Sequence, residues 1–282
     1  MNRIMKWGLR AGLGIVGAAV LAAGGVFAGS EIMRAQKWDK RDDQVSVSRD
    51  PAAVARGARL AKIYGCHDCH GADFTGRRFH DDALVTITGP NLTLAAARQT
   101  DADLARAIRT GVAADGRGLW IMPSDAFSTL TNQETADVIA YLRGFPAKGQ
   151  TVANPVKVSF VARVGVVLGK FKSAPSLIEA GLPSALDAGP EHAEGRALSR
   201  ACMECHGLDL AGLNGALITP DLTRAAAYSP AEFARLLRTG VAAGERQVGL
   251  MSATSRARFD VLSDAEIEAL YGYLKARAEQ TP

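Results

Sequence analysis

One short pattern constrains this chain more than any other: Cys66-His67-Asp68-Cys69-His70-Gly71 recurs as Cys202-Met203-Glu204-Cys205-His206-Gly207. The repetition extends beyond it. Gly89-Pro-Asn-Leu-Thr93 is matched by Thr219-Pro-Asp-Leu-Thr223, and Leu104-Ala-Arg-Ala-Ile-Arg-Thr-Gly-Val-Ala113 by Phe233-Ala-Arg-Leu-Leu-Arg-Thr-Gly-Val-Ala242. Met122 and Met251, and the pairs Tyr141-Leu142 and Tyr273-Leu274, follow in the same order. Ordered matches at a nearly constant offset predict tandem copies of one folding unit. Their expected bounds are 50–150 and 188–282.

Each copy reads as helical. Thr100-Asp-Ala-Asp103, Thr131-Asn-Gln-Glu134, Ser229-Pro-Ala-Glu232 and Ser263-Asp-Ala-Glu266 have the spacing of capping boxes. Apolar residues follow at helical intervals: Leu104, Ala107 and Ile108, Val138, Ile139 and Leu142, Phe233, Leu236 and Leu237, then Leu270, Tyr271 and Leu274. Gly111 and Gly240 sit where a helix ends. No strand is expected in either copy. Short Ala-rich helices with only 6% aromatic residues bury little apolar surface, so each core needs another filler.

C-x-x-C-H supplies one. Two thiols at this spacing add across the vinyl groups of a haem, and the next histidine is placed to ligate its iron. All four cysteines are used this way, Cys66 and Cys69 with His70, Cys202 and Cys205 with His206. None is left for a disulfide. A single C-x-x-C-H is compatible with a redox dithiol or half a zinc site; two in equivalent positions point to two covalently bound haem c groups. For the opposite face of each iron, six methionines are available. Met1, Met5 and Met33 lie in or beside the uncharged N-terminal run 11–30 and Met203 lies between linking cysteines, which leaves Met122 and Met251, one per copy. A thioether there raises the potential relative to a second imidazole. The rival ligands are His80 and His192, which are not equivalent in the repeat; His80 reads as a solvated loop residue and His192 as a surface residue beside Glu191.

Ahead of the repeats, Ala11 to Ser30 carries no charge and has the ~20 residues that cross a bilayer as a helix. Residues 1–30 are therefore expected to be a transmembrane anchor, with a cleaved signal segment as the rival, since Val26 and Ala28 suit a cleavage site. Basic residues flank the run on both sides, so charge does not orient it. Covalent haem attachment implies an exported, oxidising setting, which faces the repeats to the periplasm of the inner membrane. Residues 31–49 read as a charged tether and 151–187 as an apolar interdomain linker. Within the latter, Val156 to Phe171 reads as a strap packed between the two domains or as a docking surface. The net charge of +4 is too small and too dispersed for a nucleic-acid partner.

At these residues the chain resembles the class I c-type cytochromes, specifically membrane-anchored dihaem forms. The Gly89-Pro-Asn-Leu-Thr93 block, the Arg-Thr-Gly-Val turn and Met122-Pro123 are similar to those in haem subunits of periplasmic alcohol, aldehyde and gluconate dehydrogenases. The resemblance implies an all-α fold, two tandem cytochrome c domains after the N-terminal helix. It also implies contact between a small residue of the first helix and an aromatic of the last. Gly57 and Tyr141 fit that contact in the first copy. In the second, Gly195 stands two positions closer to its first cysteine than Gly57 does, and Ala193 keeps the spacing.

With two His/Met sites closed, the expected function is single-electron transfer in a respiratory-type chain, with no catalytic residues. The expected partners are a protein donor and acceptor: a dehydrogenase, a quinol-oxidising complex, an oxidase or a reaction centre. The alternatives are a subunit of a dehydrogenase, or of an oxidase, quinol-oxidising or photosynthetic assembly. A dihaem peroxidase or thiosulfate dehydrogenase would need an open iron position or a cysteine ligand.

Overall fold

The computed structural model describes residues 3–41, 43–215 and 217–281. Residues 1, 2, 42, 216 and 282, which fall in the expected anchor, tether and second repeat, lie outside the described residues, as does the side chain of Met5. The chain begins with a long helix, α1 (Arg3–Ala35), exposed along its apolar stretch. Residues Arg10–Ala35 are long and apolar enough to cross a membrane.

The first repeat consists of α2 (Pro51–Ile63), α3 (Cys66–His70), a hairpin of β1 (Arg77–Asp81) and β2 (Val85–Gly89), α4 (Leu92–Arg98), α5 (Asp101–Thr110), α6 (Ser124–Phe127) and α7 (Asn132–Arg143). A connection follows: β3 (Val156–Val158), which extends the hairpin antiparallel to β2, then α8 (Phe160–Val167) and α9 (Ala174–Glu179). The second repeat has α10 (Ala193–His206), β4 (Leu213–Asn214) paired with β5 (Ile218–Thr219), α11 (Pro230–Thr239), β6 (Val241–Ala242) paired with β7 (Arg246–Gln247), α12 (Leu250–Arg258) and α13 (Asp264–Gln280).

All four capping boxes form: Thr100 with Asp103, Thr131 with Glu134, Ser229 with Glu232 and Ser263 with Glu266. Each satisfies two backbone N–H groups that a helix start leaves orphaned. Gly111 and Gly240 end α5 and α11 in the left-handed conformation, at φ 67° and 74°. The core of each repeat is the predicted stripe: Leu104, Ile108, Val138, Ile139 and Leu142 in the first, Phe233, Leu236, Leu237, Leu270 and Leu274 in the second. The buried aromatic of α13 is Tyr273; Tyr271, expected inward, is half-buried and donates its hydroxyl to the Tyr228 carbonyl at 2.6 Å.

Three expectations need correction. Strands do occur, as small hairpins at repeat edges. Val85-Thr-Ile-Thr-Gly89 is β-branched at alternate and adjacent positions, which suits a pleated edge, but a run this short gives no usable period. His80 accordingly lies in β1, exposed and 3.0 Å from Asp82, rather than in a loop. Residues 31–49 are not a free tether: Lys37 bridges to Arg117, the Asp43 carboxylate pairs with Arg109, and Val45 and Val47 pack on the core. In the strap 156–171, β3 pairs with β2 of the first repeat and α8 packs chiefly on α1.

The spacing difference around Gly195 also resolves. A Cβ at Gly57 would sit 1.8 Å from the Asp137 carbonyl oxygen and 3.0 Å from Tyr141 Cβ; at Gly195, 2.1 Å from the Ala269 oxygen and 2.7 Å from Tyr273 Cβ. The two glycines make the same helix crossing. The extra residues in the first repeat form the turn at Tyr64 and Gly65 (φ 67°), which breaks α2 from α3, whereas α10 runs unbroken through its cysteines.

Candidate haem-attachment sites

Each histidine of the repeated motif ends a helix and is buried. His70 Nδ1 lies 3.0 Å from the Pro90 carbonyl oxygen, and His206 Nδ1 lies 2.9 Å from that of Pro220. A carbonyl only accepts, so Nδ1 carries the proton and Nε2 keeps a free lone pair. Burial lowers both imidazole pKa values, keeping the rings neutral. A neutral imidazole oriented by a backbone carbonyl is a prepared metal ligand.

The loop that carries this carbonyl is built the same way twice. The N–H of Gly76 bonds to the His70 oxygen and that of Gly212 to the His206 oxygen. Leu92 N–H reaches the Phe74 carbonyl at 2.8 Å, as Leu222 reaches Leu210 at 2.9 Å. Phe74 and Leu210 are fully buried at φ 58° and 62°. Asn91 and Asp221 then cap the following helices through the N–H groups of Thr93 and Thr223. The residue before the proline touches the second cysteine in both repeats. A Cβ on Gly89 would lie 1.9 Å from the Cys69 oxygen, while Thr219 Oγ1 donates to the Cys205 oxygen at 2.6 Å.

The four cysteines are unpaired. Burial pushes the Cys66 and Cys202 thiols up to about 12 and Cys69 to about 11, so they are neutral thiols. Among the described residues no three His, Cys, Asp or Glu side chains cluster to hold a bare metal ion. Two thiols and a neutral imidazole with a free Nε2 fit a covalently attached haem in each repeat.

Met122 and Met251 are both half-buried against the core, yet their settings differ. Pro123 keeps Met122 in an irregular stretch before α6; without a proline, Met251 falls in the first turn of α12. His192 is half-buried, with Nε2 3.9 Å from Glu191.

Arg258 is a functional residue that reading the motifs missed. Its Nε donates to Asp68 at 2.8 Å and its Nη1 to Glu204 at 2.8 Å. Those carboxylates are the equivalent residues inside the two motifs, so one buried guanidinium joins both attachment loops. Burial, which would lower it, is outweighed by the two carboxylates, and its pKa is raised. Gly65 makes the room, since a Cβ there would lie 2.1 Å from Arg258 Cζ. A near-symmetric exchange surrounds it: Arg59 of α2 bonds Glu266 at 2.5 Å, and Arg200 of α10 bonds Glu134 at 2.5 Å. Each first helix thus reaches the capping glutamate of the other repeat. Pro123 and Ala126 line one cleft with Met203, Leu208 and Leu213, bringing the chain after Met122 beside the second motif. Arg258 belongs to neither motif, and its only signal was a pair of acidic residues at matching motif positions.

The cytochrome c family model matches residues 54–145 and 192–278. The chain is also 25% identical over 256 residues to the fructose dehydrogenase cytochrome subunit of Gluconobacter japonicus, covering 79% of this chain and 52% of that protein. It therefore spans about half the length of the curated relative it matches.

Proposed function

The chain belongs to the cytochrome c family, and from that premise we propose that it is a membrane-anchored periplasmic dihaem electron carrier. In this reading it takes single electrons from a donor at the membrane and passes them to an acceptor in a respiratory-type chain. The observation that carries it is the duplicated ligand set: a buried histidine locked to a proline carbonyl beside two cysteines, present twice and joined by Arg258. A haem held there supplies a one-electron ferric/ferrous couple. The protein orients the histidines, keeps them neutral and excludes water from them.

In the same reading Cys66, Cys69, Cys202 and Cys205 carry the thioether links, His70 and Met122 hold the first iron, and His206 and Met251 the second. Repeats 50–150 and 188–282 are the two haem domains. Residues Arg10–Ala35 span the inner membrane with the N-terminus cytoplasmic. Similarity to a fructose dehydrogenase cytochrome subunit favours a dehydrogenase as the donor.

Isolation of the chain from native membranes in mild detergent, followed by mass spectrometry of what stays bound, tests the partner. A co-isolated dehydrogenase makes this chain its haem subunit. An oxidase or quinol-oxidising complex in its place overturns that assignment and leaves a tethered shuttle.

A further inference from the structure

The segment 156–171 is apolar with sparse charge, and its helix α8 packs against the last turns of α1. Arg163 Nη1 donates to Ser30 Oγ at 2.8 Å and to Glu31 Oε1 at 2.5 Å, and its guanidinium lies 4.2 Å from the Phe27 ring centre. Arg34 Nη2 donates to the Val156 carbonyl at 2.7 Å, and Ser30 is fully buried. A Cβ on Gly29 would touch Val167 at 3.6 Å. These contacts fall where the uncharged run ends, since Glu31 is the first charge after Arg10.

The depth of α8 follows from that docking. The 26-residue candidate span is about 39 Å long at ~1.5 Å per residue, more than the ~30 Å hydrocarbon core. Its final turns therefore emerge through the interface, and α8 is fastened beside them. Ala162 and Val166 of α8 are buried, but Phe160, Val161, Val167, Leu168 and Phe171 are 39–67% exposed. Exposed Lys170 and Lys172 follow directly. An apolar face of this kind with lysines at its margin suits the boundary between headgroups and acyl chains.

We propose that α8 lies in the bilayer interface as a second membrane contact, with Val161, Leu168 and Phe171 among the lipids. The inference rests on α1 being a membrane span. Its consequence is orientation. From α8 the chain runs back through β3, whose Val158 and Val156 pair with Val85 and Ile87 of β2, and β2 ends at Gly89 against the Cys69 carbonyl. The first attachment loop is thus held at a fixed height above the membrane, where a partner in the same membrane meets it by lateral diffusion.

The test uses the full holoprotein in phosphatidylcholine/phosphatidylglycerol nanodiscs doped with a phospholipid carrying a diazirine near the ester end of one acyl chain. After irradiation, lipid adducts are mapped by peptide mass spectrometry. Adducts are expected on α1 and on the peptide spanning 160–171, with none on α13. Val161→Asp combined with Leu168→Asp should cut labelling of 160–171 several-fold while haem content and α1 labelling stay unchanged. Adducts on α1 with none on 160–171 overturn the proposal and point to a protein covering that face. Adducts on neither overturn the anchor reading and this proposal with it.

Discussion

At the scale of single residues, the two attachment sites differ most at the position before the proline. Gly89 is pressed against the Cys69 carbonyl, while Thr219 uses that closeness for a hydrogen bond. Gly89→Ala forces the loop away from the first motif, and the expected result is a chain whose haem content, measured by intact mass, falls from two toward one. Thr219→Val removes two hydrogen bonds, the one donated to the Cys205 oxygen and the one accepted from the Leu213 N–H, about 1 kcal/mol each, and should keep both haems with a lower melting temperature. Replacing Met122 by His exchanges a thioether for an imidazole, so one midpoint potential should fall and the other hold; two unmoved potentials in a redox titration would remove Met122 as a ligand. The cysteine–histidine motifs were legible because covalent haem attachment demands fixed residue types at fixed spacing; the Pro90 and Pro220 carbonyls that meet the histidines were not, because that contact is made only in the fold. Arg258 was not, because a long side chain reaching two carboxylates from a distant helix leaves no local pattern.

At the scale of elements, the capping boxes and core stripes were readable because they are local. What an apolar run packs against is not local, and α8 shows it: the same sequence serves equally as a strap between domains or as a helix against α1. The short strands escaped for a related reason, since pairing partners and not periodicity create them. The contacts between repeats have a defined pH response. Burial would raise the Glu266 carboxyl, but hydrogen bonds from Ser263 and the Arg59 guanidinium outweigh it and hold its pKa below the ordinary value. A depressed carboxyl stabilises above its unfolded pKa, and that contribution is lost as pH falls through the folded value. The Arg59–Glu266 contact should therefore be intact at neutral pH and weaken only as pH falls below the ordinary glutamate range. Small-angle scattering against pH should show the two repeats loosening there, and Glu266→Gln should blunt the step.

At the scale of the whole molecule, two repeats that share one buried arginine behave as a unit. Arg258→Met leaves Asp68 and Glu204 facing each other without a counter-charge. A cost of about 1–3 kcal/mol is expected, between the values for surface and buried pairs, because both carboxylates keep some exposure. Losing a positive charge beside both attachment loops also favours ferric iron, so both potentials should fall together, and Arg258→Lys should recover part of the shift. A fall confined to one potential would mean that the arginine acts on a single site. In the proposed function this chain carries electrons through two closed haem sites, and a potentiometric titration of the purified holoprotein, with and without cyanide, tests that most directly. Two one-electron steps, unmoved by cyanide, are the expected result. A single step, or a potential that shifts when cyanide binds, would contradict it by revealing a missing haem or an exchangeable iron position.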